Sequence, residues 1–286
     1  YGVNEFDAEI VGLGPGLGVR DDTELSLAGL QNKLLLVATE RGWGRPVGGQ
    51  PSTHILKIDD QRFPGLVSAE AAALRLARGL GLGDLDPQLH QIEGVDCLIV
   101  ARYDRLRAAD GTIGRVHQED SCQALGVMPD AHRGRGKYES SGGPTFAQIA
   151  SLLRRYSADP GDELDRLVRM IAFTMIIGNA DGHGKNLSLL YPAPGMPTLA
   201  PLYDTVPTVL WPRLRTTAAM SVAGETEFIR IGLDAITREA EGWGMPGERA
   251  RSLAVDVVER ALRAASGLGH DQVGELVTGR ATQMLG

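Results

Sequence analysis

The chain has 286 residues, 43% of them hydrophobic, a formal net charge of -7 and two cysteines. That length and apolar content suffice for one large core or two smaller lobes without disulfide support. The acidic balance excludes bulk attraction to a nucleic-acid backbone, which rests on clustered Lys and Arg releasing counterions. Cys97 and Cys122 stand in no CxxC or Cys/His spacing that would hold zinc, so both are expected to be small core residues of a reducing cytoplasm.

At the N-terminus, Tyr1 to Ile10 carries Glu5, Asp7 and Glu9 where a secretion signal would have a basic start and an apolar stretch. No apolar run reaches the ~18 residues of a membrane span. Because the chain starts at Tyr1 rather than Met, residues ahead of it, even a whole subdomain, are compatible with the sequence. Residues 11–18 are Gly-rich, but the GxGxxG spacing fails at Leu17 and no strand-like run precedes it. The segment is read as a flexible lead-in rather than a dinucleotide loop.

Two β-rich runs, Lys33 to Thr39 and His54 to Ile58, flank the turn-forming stretch 42–52, which predicts an antiparallel pair. From Val67 to Leu80 the apolar residues recur near helical spacing, with Gly79, Gly81 and Gly83 as a stop. Cys97 to Arg102 reads as a strand closing a first lobe. Beyond about residue 105 helices dominate: Glu119–Leu125, Phe146–Tyr156, Asp162–Ile177, Gly247–Ala265 and Asp271–Met284, with brief strands at Leu187–Tyr191 and Leu199–Leu202. The expectation is an α+β chain with a small β-rich lobe over residues 1–104, a larger helical lobe over 105–286 and a cleft between them. The loop Pro129 to Pro144, rich in Gly, Ser, Arg and Asp, is the best candidate for a mobile segment.

The densest chemistry lies in Gly178-Asn179-Ala180-Asp181-Gly182-His183-Gly184-Lys185-Asn186. An Asp followed five positions later by Asn has the spacing of a protein-kinase catalytic loop, in which the Asp orients the acceptor hydroxyl and the Asn oxygen binds magnesium. Tyr203-Asp204 then offers a second acid in the place of a metal-binding carboxylate. Taken alone, these residues are equally consistent with ordinary turn formers and a strand cap. What decides between the two is an upstream lysine on a strand and a glutamate on the next helix, and Lys57 and Glu70 occupy those places. Ser26 to Lys33 sits where a phosphate-covering loop belongs, although it has one glycine and is no Walker loop.

These segments, with Thr53-His54-Ile55-Leu56-Lys57, Ala101-Arg102-Tyr103-Asp104-Arg105, His117 to Gly126, Lys137-Tyr138-Glu139 and Gly142-Gly143-Pro144, resemble HipA-type toxin kinases in order and approximate spacing. The resemblance covers nearly the whole chain from about residue 22. It implies a two-lobed, protein-kinase-like fold and the use of ATP and Mg²⁺. It also implies Asp181 as base, Asn186 and Asp204 as metal ligands and Lys57 as the phosphate contact, supported by Glu70. Gly29, Gln31 and Lys33 would belong to the phosphate loop, and Ser26 would be an autophosphorylation site. Lys185 would be an auxiliary cation for the transferring phosphoryl group, and His183 a support for the loop through hydrogen bonds. Two features depart from the family pattern. The N-terminal subdomain is missing or nearly so, a part that some relatives place on a separate chain, and Ala101 replaces a glutamate.

The leading expectation is therefore transfer of the ATP γ-phosphoryl group to a Ser or Thr of a protein, in the family an aminoacyl-tRNA synthetase. A DNA-binding HipB-type antitoxin is the implied partner. A small-molecule kinase shares the Asp-x-x-x-x-Asn logic and differs in its acceptor. A non-catalytic, nucleotide-binding co-repressor would not need Lys57, Asp181, Asn186 and Asp204 all together. Any DNA contact is expected to come mainly from the partner. Arg133, Arg135 and Lys137 form the local basic cluster, read either as a solvated loop or as an anion site.

Overall fold

The computed structural model describes residues 33–39, 42–46, 48–193 and 195–286. Ser26, Gly29 and Gln31 lie outside the described residues. Five antiparallel strands form the first sheet: β1 (Lys33–Thr39), β2 (Gly42–Gly44), β3 (His54–Ile58), β4 (Gln88–Ile92) and β5 (Val95–Ala101), in the order β2-β1-β3-β5-β4. The side-chain period of two sorts this sheet into two faces. Leu36, Leu56, Ile58, Cys97 and Ile99 are buried together on one. The other carries Lys57, flanked in register by Lys33 on β1 and Leu98 on β5.

Helix α1 (Leu66–Gly79) covers that second face, packing Val67, Ala71 and Leu74 against Leu98 and Val100. The Asp59 carboxylate fixes its start by accepting from the amides of Gly65 at 2.7 Å and Val67 at 3.1 Å. The opposite side of α1, with Ala69, Ala72, Ala73, Leu76 and Ala77, enters the core of the helical part. One alanine-rich helix thus belongs to both cores, and the register that buries Val67 and Leu74 also carries Glu70 inward.

After a small hairpin of β6 (Arg105–Arg107) and β7 (Ile113–Arg115) comes a three-stranded sheet of β8 (His117–Asp120), β9 (Ser188–Ala193) and β10 (Met196–Leu199), in the order β10-β9-β8. Helices α2 (Phe146–Tyr156) and α3 (Pro160–Ile176) lie between β8 and β9 in the chain. Thr145 and Gln148 close α2 with a capping box; Asp159 caps α3, with Pro160 in its first turn. Helix α3 runs through the main core, burying Leu167, Val168, Ala172, Phe173 and Ile176 completely. The hairpin β11 (Thr217–Val222) and β12 (Glu225–Glu227) and the helices α4 (Leu233–Gly242), α5 (Gly247–Ala264) and α6 (Asp271–Leu285) complete the chain. Among the described residues no helix is long and apolar enough to cross a membrane.

Several expectations need correction. Residues 117–120 form β8 and only Ser121–Ala124 turn as helix, because Gln118, Glu119 and Asp120 pair with Leu190, Leu189 and Ser188 of β9. The strand placed at Leu199–Leu202 is Met196–Leu199, paired with β9. The segment 129–144 is not uniformly loose. Arg133 and Arg135 are exposed, but Lys137 and Tyr138 are 7% and 5% exposed, which also divides the basic cluster.

Candidate active site

Lys57 occupies the middle of the sheet, with its side chain 6% exposed. Its Nζ donates to Glu70 Oε1 on α1 and to Asp204 Oδ1, so strand, helix and a distant loop meet at one ammonium. Lys33, placed opposite Lys57 by the register, reaches both Asp204 oxygens at 3.2 and 3.1 Å. It therefore opens β1 rather than lying wholly within a loop. Two cations and two carboxylates balance. Burial alone would depress the Lys57 pKa, but Asp204 and Glu70 outweigh it and hold the ammonium above its ordinary value. Burial would likewise raise Asp204, yet Lys57 and Lys33 hold that carboxyl well below the usual carboxylate range. Glu70, 0% exposed, is pushed up by burial and only partly offset by Lys57; its Oε2 is without a partner among the described residues.

Asp204 has φ 49, a left-handed conformation sparsely used by residues with a Cβ. Asn179 spans the two acids, its Nδ2 donating to the Asp204 carbonyl at 3.4 Å and its Oδ1 accepting from the Asp181 amide at 3.1 Å. The loop between α3 and β9 is pinned along its length. The Ala180 amide donates to Thr208 Oγ1 at 2.7 Å, the His183 amide to the Asp181 carbonyl at 2.8 Å and the Asn186 amide to the His183 carbonyl at 2.8 Å. At Gly184 a Cβ would sit 2.5 Å from Pro144 Cγ, so only glycine fits between the loop and the Gly142-Gly143-Pro144 turn.

The Asp181 carboxylate accepts from the Tyr138 hydroxyl. Lys137 is buried beside it; burial lowers the Lys137 pKa, and the Asp181 charge opposes that shift. His183, 2% exposed, meets the Tyr138 ring edge-on at 5.2 Å. Neither His183 ring nitrogen has a hydrogen-bond partner among the described residues, Nε2 lying 3.9 Å from Asp181 Oδ1, and burial, reinforced by Lys137, pushes its pKa down to about 3. The imidazole is buried against Tyr138 without the ring hydrogen bonds to described residues that were expected of it. Lys185 is exposed, and its Nζ pairs with Asp120 Oδ2 at 3.0 Å, which ties the loop to the end of β8. The Lys185 carbonyl accepts from Tyr203 Oη at 2.6 Å, setting the residue before Asp204.

Asn186 and Asp204 offer hard oxygen donors of the kind that hold Mg²⁺ together with substrate phosphates. Lys57 and Lys33, both on Asp204, would supply cations for such phosphates. Among the described residues no group of three or more His, Cys, Asp or Glu is placed to hold a metal ion. The structure thus brings Lys57, Glu70, Asp204 and Lys33 into one ion-paired group, while Asp181, His183, Lys185 and Asn186 share the adjoining loop. Sequence reasoning missed Asn179 and the hydroxyl of Tyr138; both lie within motifs it had quoted, and only tertiary contact reveals their partners.

A sheet covered by one helix, joined to a helical body that carries a polar loop at the junction, defines a two-lobed, protein-kinase-like fold. The chain superposes over 100% of its length on the structure titled Shewanella oneidensis MR-1 toxin antitoxin system HipA, HipB and its operator DNA complex, with TM-score 0.83, 25% identity and 70% of that chain covered. Residues 25–265 match the family described as HipA-like C-terminal domain. The chain belongs to that family. The Sinorhizobium fredii protein named "Putative kinase Y4mE" is 40% identical over 280 residues, covering 93% of this chain and 65% of the relative. The serine/threonine-protein kinase toxin HipA of Shewanella oneidensis is 30% identical over 247 residues, 84% of this chain and 55% of the relative. The chain therefore spans from 55% to 65% of these two curated relatives.

Proposed function

We propose that the chain is the catalytic part of a HipA-type serine/threonine protein kinase that transfers the γ-phosphoryl group of ATP with Mg²⁺. The observation that carries this reading is the buried contact of Lys57 with both Glu70 and Asp204, which joins residues 13 and 147 positions apart. A protein kinase needs that lysine held by a helix glutamate, next to a metal-binding carboxylate. Leu35 and Ile55, paired on the lysine-bearing face of the sheet, add apolar surface suited to a nucleotide base beside cations for its phosphates. Asp181 orients the acceptor hydroxyl, Asn186 and Asp204 hold the metal, and Lys33 contacts phosphate. Gly29 and Gln31 are proposed to contribute to phosphate binding, and Ser26 to be the autophosphorylation site.

The acceptor is a protein, with an aminoacyl-tRNA synthetase as the proposed substrate and the cytoplasm as the proposed place of action. The Shewanella neighbour is a complex of HipA with HipB and operator DNA, which supports a HipB-type antitoxin as partner of this chain too; a separate N-terminal-subdomain-like chain is a further proposed partner. Residues 1–104 and 105–286 are the proposed functional halves. Calorimetry tests the nucleotide site. The chain should bind Mg-ATP, and Lys57→Ala and Asp204→Ala should each weaken binding by roughly tenfold or more through loss of charge compensation. Unchanged affinity in both variants, with and without magnesium, removes the assignment.

A further inference from the structure

The hydrogen bond from Tyr138 to Asp181 is not needed to hold Tyr138 in place. Its segment is fixed independently: Glu139 accepts from the Ser221 amide at 2.6 Å and from its hydroxyl at 2.7 Å. The amides of Ser141 and Gly143 donate to the Tyr138 carbonyl at 3.0 and 2.9 Å. A Cβ on Gly143 would sit 2.6 Å from the Tyr138 carbonyl carbon and oxygen. The ring has Lys137 Nζ and the Arg215 guanidinium each 5.2 Å from its centroid. A phenylalanine would satisfy all of these contacts. The hydroxyl delivers a donor from this turn to a carboxylate in the polar loop.

A carboxylate rotates about a broad terminal torsion, whereas a proton acceptor has to be aligned to within about 10–20°. An ionised carboxylate has about four acceptor sites, so the Tyr138 donor can orient it beside Lys137 and His183 and still leave capacity for a second hydroxyl. We infer that Tyr138 is a positioning residue for phosphoryl transfer, its phenol holding the Asp181 carboxylate in the orientation that accepts the proton of the incoming hydroxyl. The inference rests on the proposed role of Asp181. In the step itself the acceptor oxygen bonds to the γ-phosphorus as the bond from that phosphorus to the β–γ bridging oxygen breaks. ADP leaves with the electron pair, and the hydroxyl proton passes to Asp181. Tyr138 keeps its own proton throughout.

The test is a double-mutant cycle of Tyr138→Phe and Asp181→Asn on the full chain. It reads protein-bound label formed from γ-labelled ATP in a cell lysate, above the lysate alone, together with Mg-ATP affinity by calorimetry. Tyr138→Phe should lower kcat by roughly 10 to 100-fold, as loss of orientation does, and leave KM for ATP and Mg-ATP affinity within about twofold. In the Asp181→Asn background the same change should lower the rate no further, since a group acting only through Asp181 has nothing left to orient. Retained nucleotide affinity shows that the variants are folded. A Tyr138→Phe rate equal to or above the parent's overturns the inference, as does an equal loss in both backgrounds. Full transfer by Asp181→Asn instead removes the role of Asp181, and no transfer by the parent chain removes both readings.

Discussion

His183, in the polar loop between α3 and β9, bears on stability through its neutral form. Its ring is 2% exposed, and its pKa is pushed down from 6.5 to about 3 by burial. The folded state therefore refuses a proton that the unfolded chain accepts below its ordinary value. Stability from this group is complete above pH ~6.5 and declines as pH falls toward the folded value, because the unfolded state then binds more protons. The loss should reach roughly 2 kcal/mol by pH 5. Urea denaturation between pH 7 and 5 should show this slope in the parent chain and a flatter one in His183→Gln, by up to about one proton. Parallel slopes would mean that the ring is protonated without penalty. Lys57 and Asp204 instead stabilise each other's charged form: the Asp204 contribution, like that of His183, is lost as pH falls, whereas that of Lys57 is lost only as pH rises.

Among the elements, the turn after Tyr138 sets the position of the loop that carries Asp181. Gly143 lies against the Tyr138 backbone and Gly184 against Pro144, so two glycines bring the segments together. Gly143→Ala should push them apart and cost about 1–3 kcal/mol, as overpacking does, with phosphoryl transfer falling more than Mg-ATP affinity. Thermal unfolding and calorimetry on one preparation check this; a variant as stable and active as the parent would show that the turn is adaptable. The boundaries of β1, β3 and α2 were legible because apolar and β-branched runs there end at turn formers or at a capping box. Strand β4 was not: Gln88-Leu89-His90-Gln91-Ile92 is an exposed edge with no apolar period, formed by pairing with β5. Helix α4 has the i, i+3 and i+7 spacing in Leu233, Ile236 and Ala240, a helical period that the sequence reading passed over. Glu119 and Asp120 of β8 were expected in a helix; Asp120 and Gln123 do form a capping box, but for a single turn. The candidate site followed the same rule. The acid-to-Asn spacing and the Lys57–Glu70 offset are local signals, whereas the partners Asn179 and Tyr138 become visible only when residues 25 and 43 positions apart meet.

For the molecule as a whole, α1 is the structural link between sheet and helical body. Its residues Val67, Ala71 and Leu74 belong to the sheet core, and Ala69, Ala73 and Leu76 to the helical one. Lys57, Glu70 and Asp204 come together along that junction. A nucleotide held there would touch both parts, and an acceptor hydroxyl would approach Asp181 from the neighbouring loop. The account as a whole depends on that hydroxyl receiving phosphate. The most direct measurement is label transfer from γ-labelled Mg-ATP into proteins of a cell lysate, comparing the purified chain with its Asp181→Ala variant. A residue that acts on the transition state more than on the bound nucleotide should lose transfer when removed, while Mg-ATP affinity stays within a few-fold. Labelled acceptors that appear with the parent chain and vanish with Asp181→Ala are the predicted result. Equal labelling by the two, or none by a parent chain that binds Mg-ATP, would contradict it.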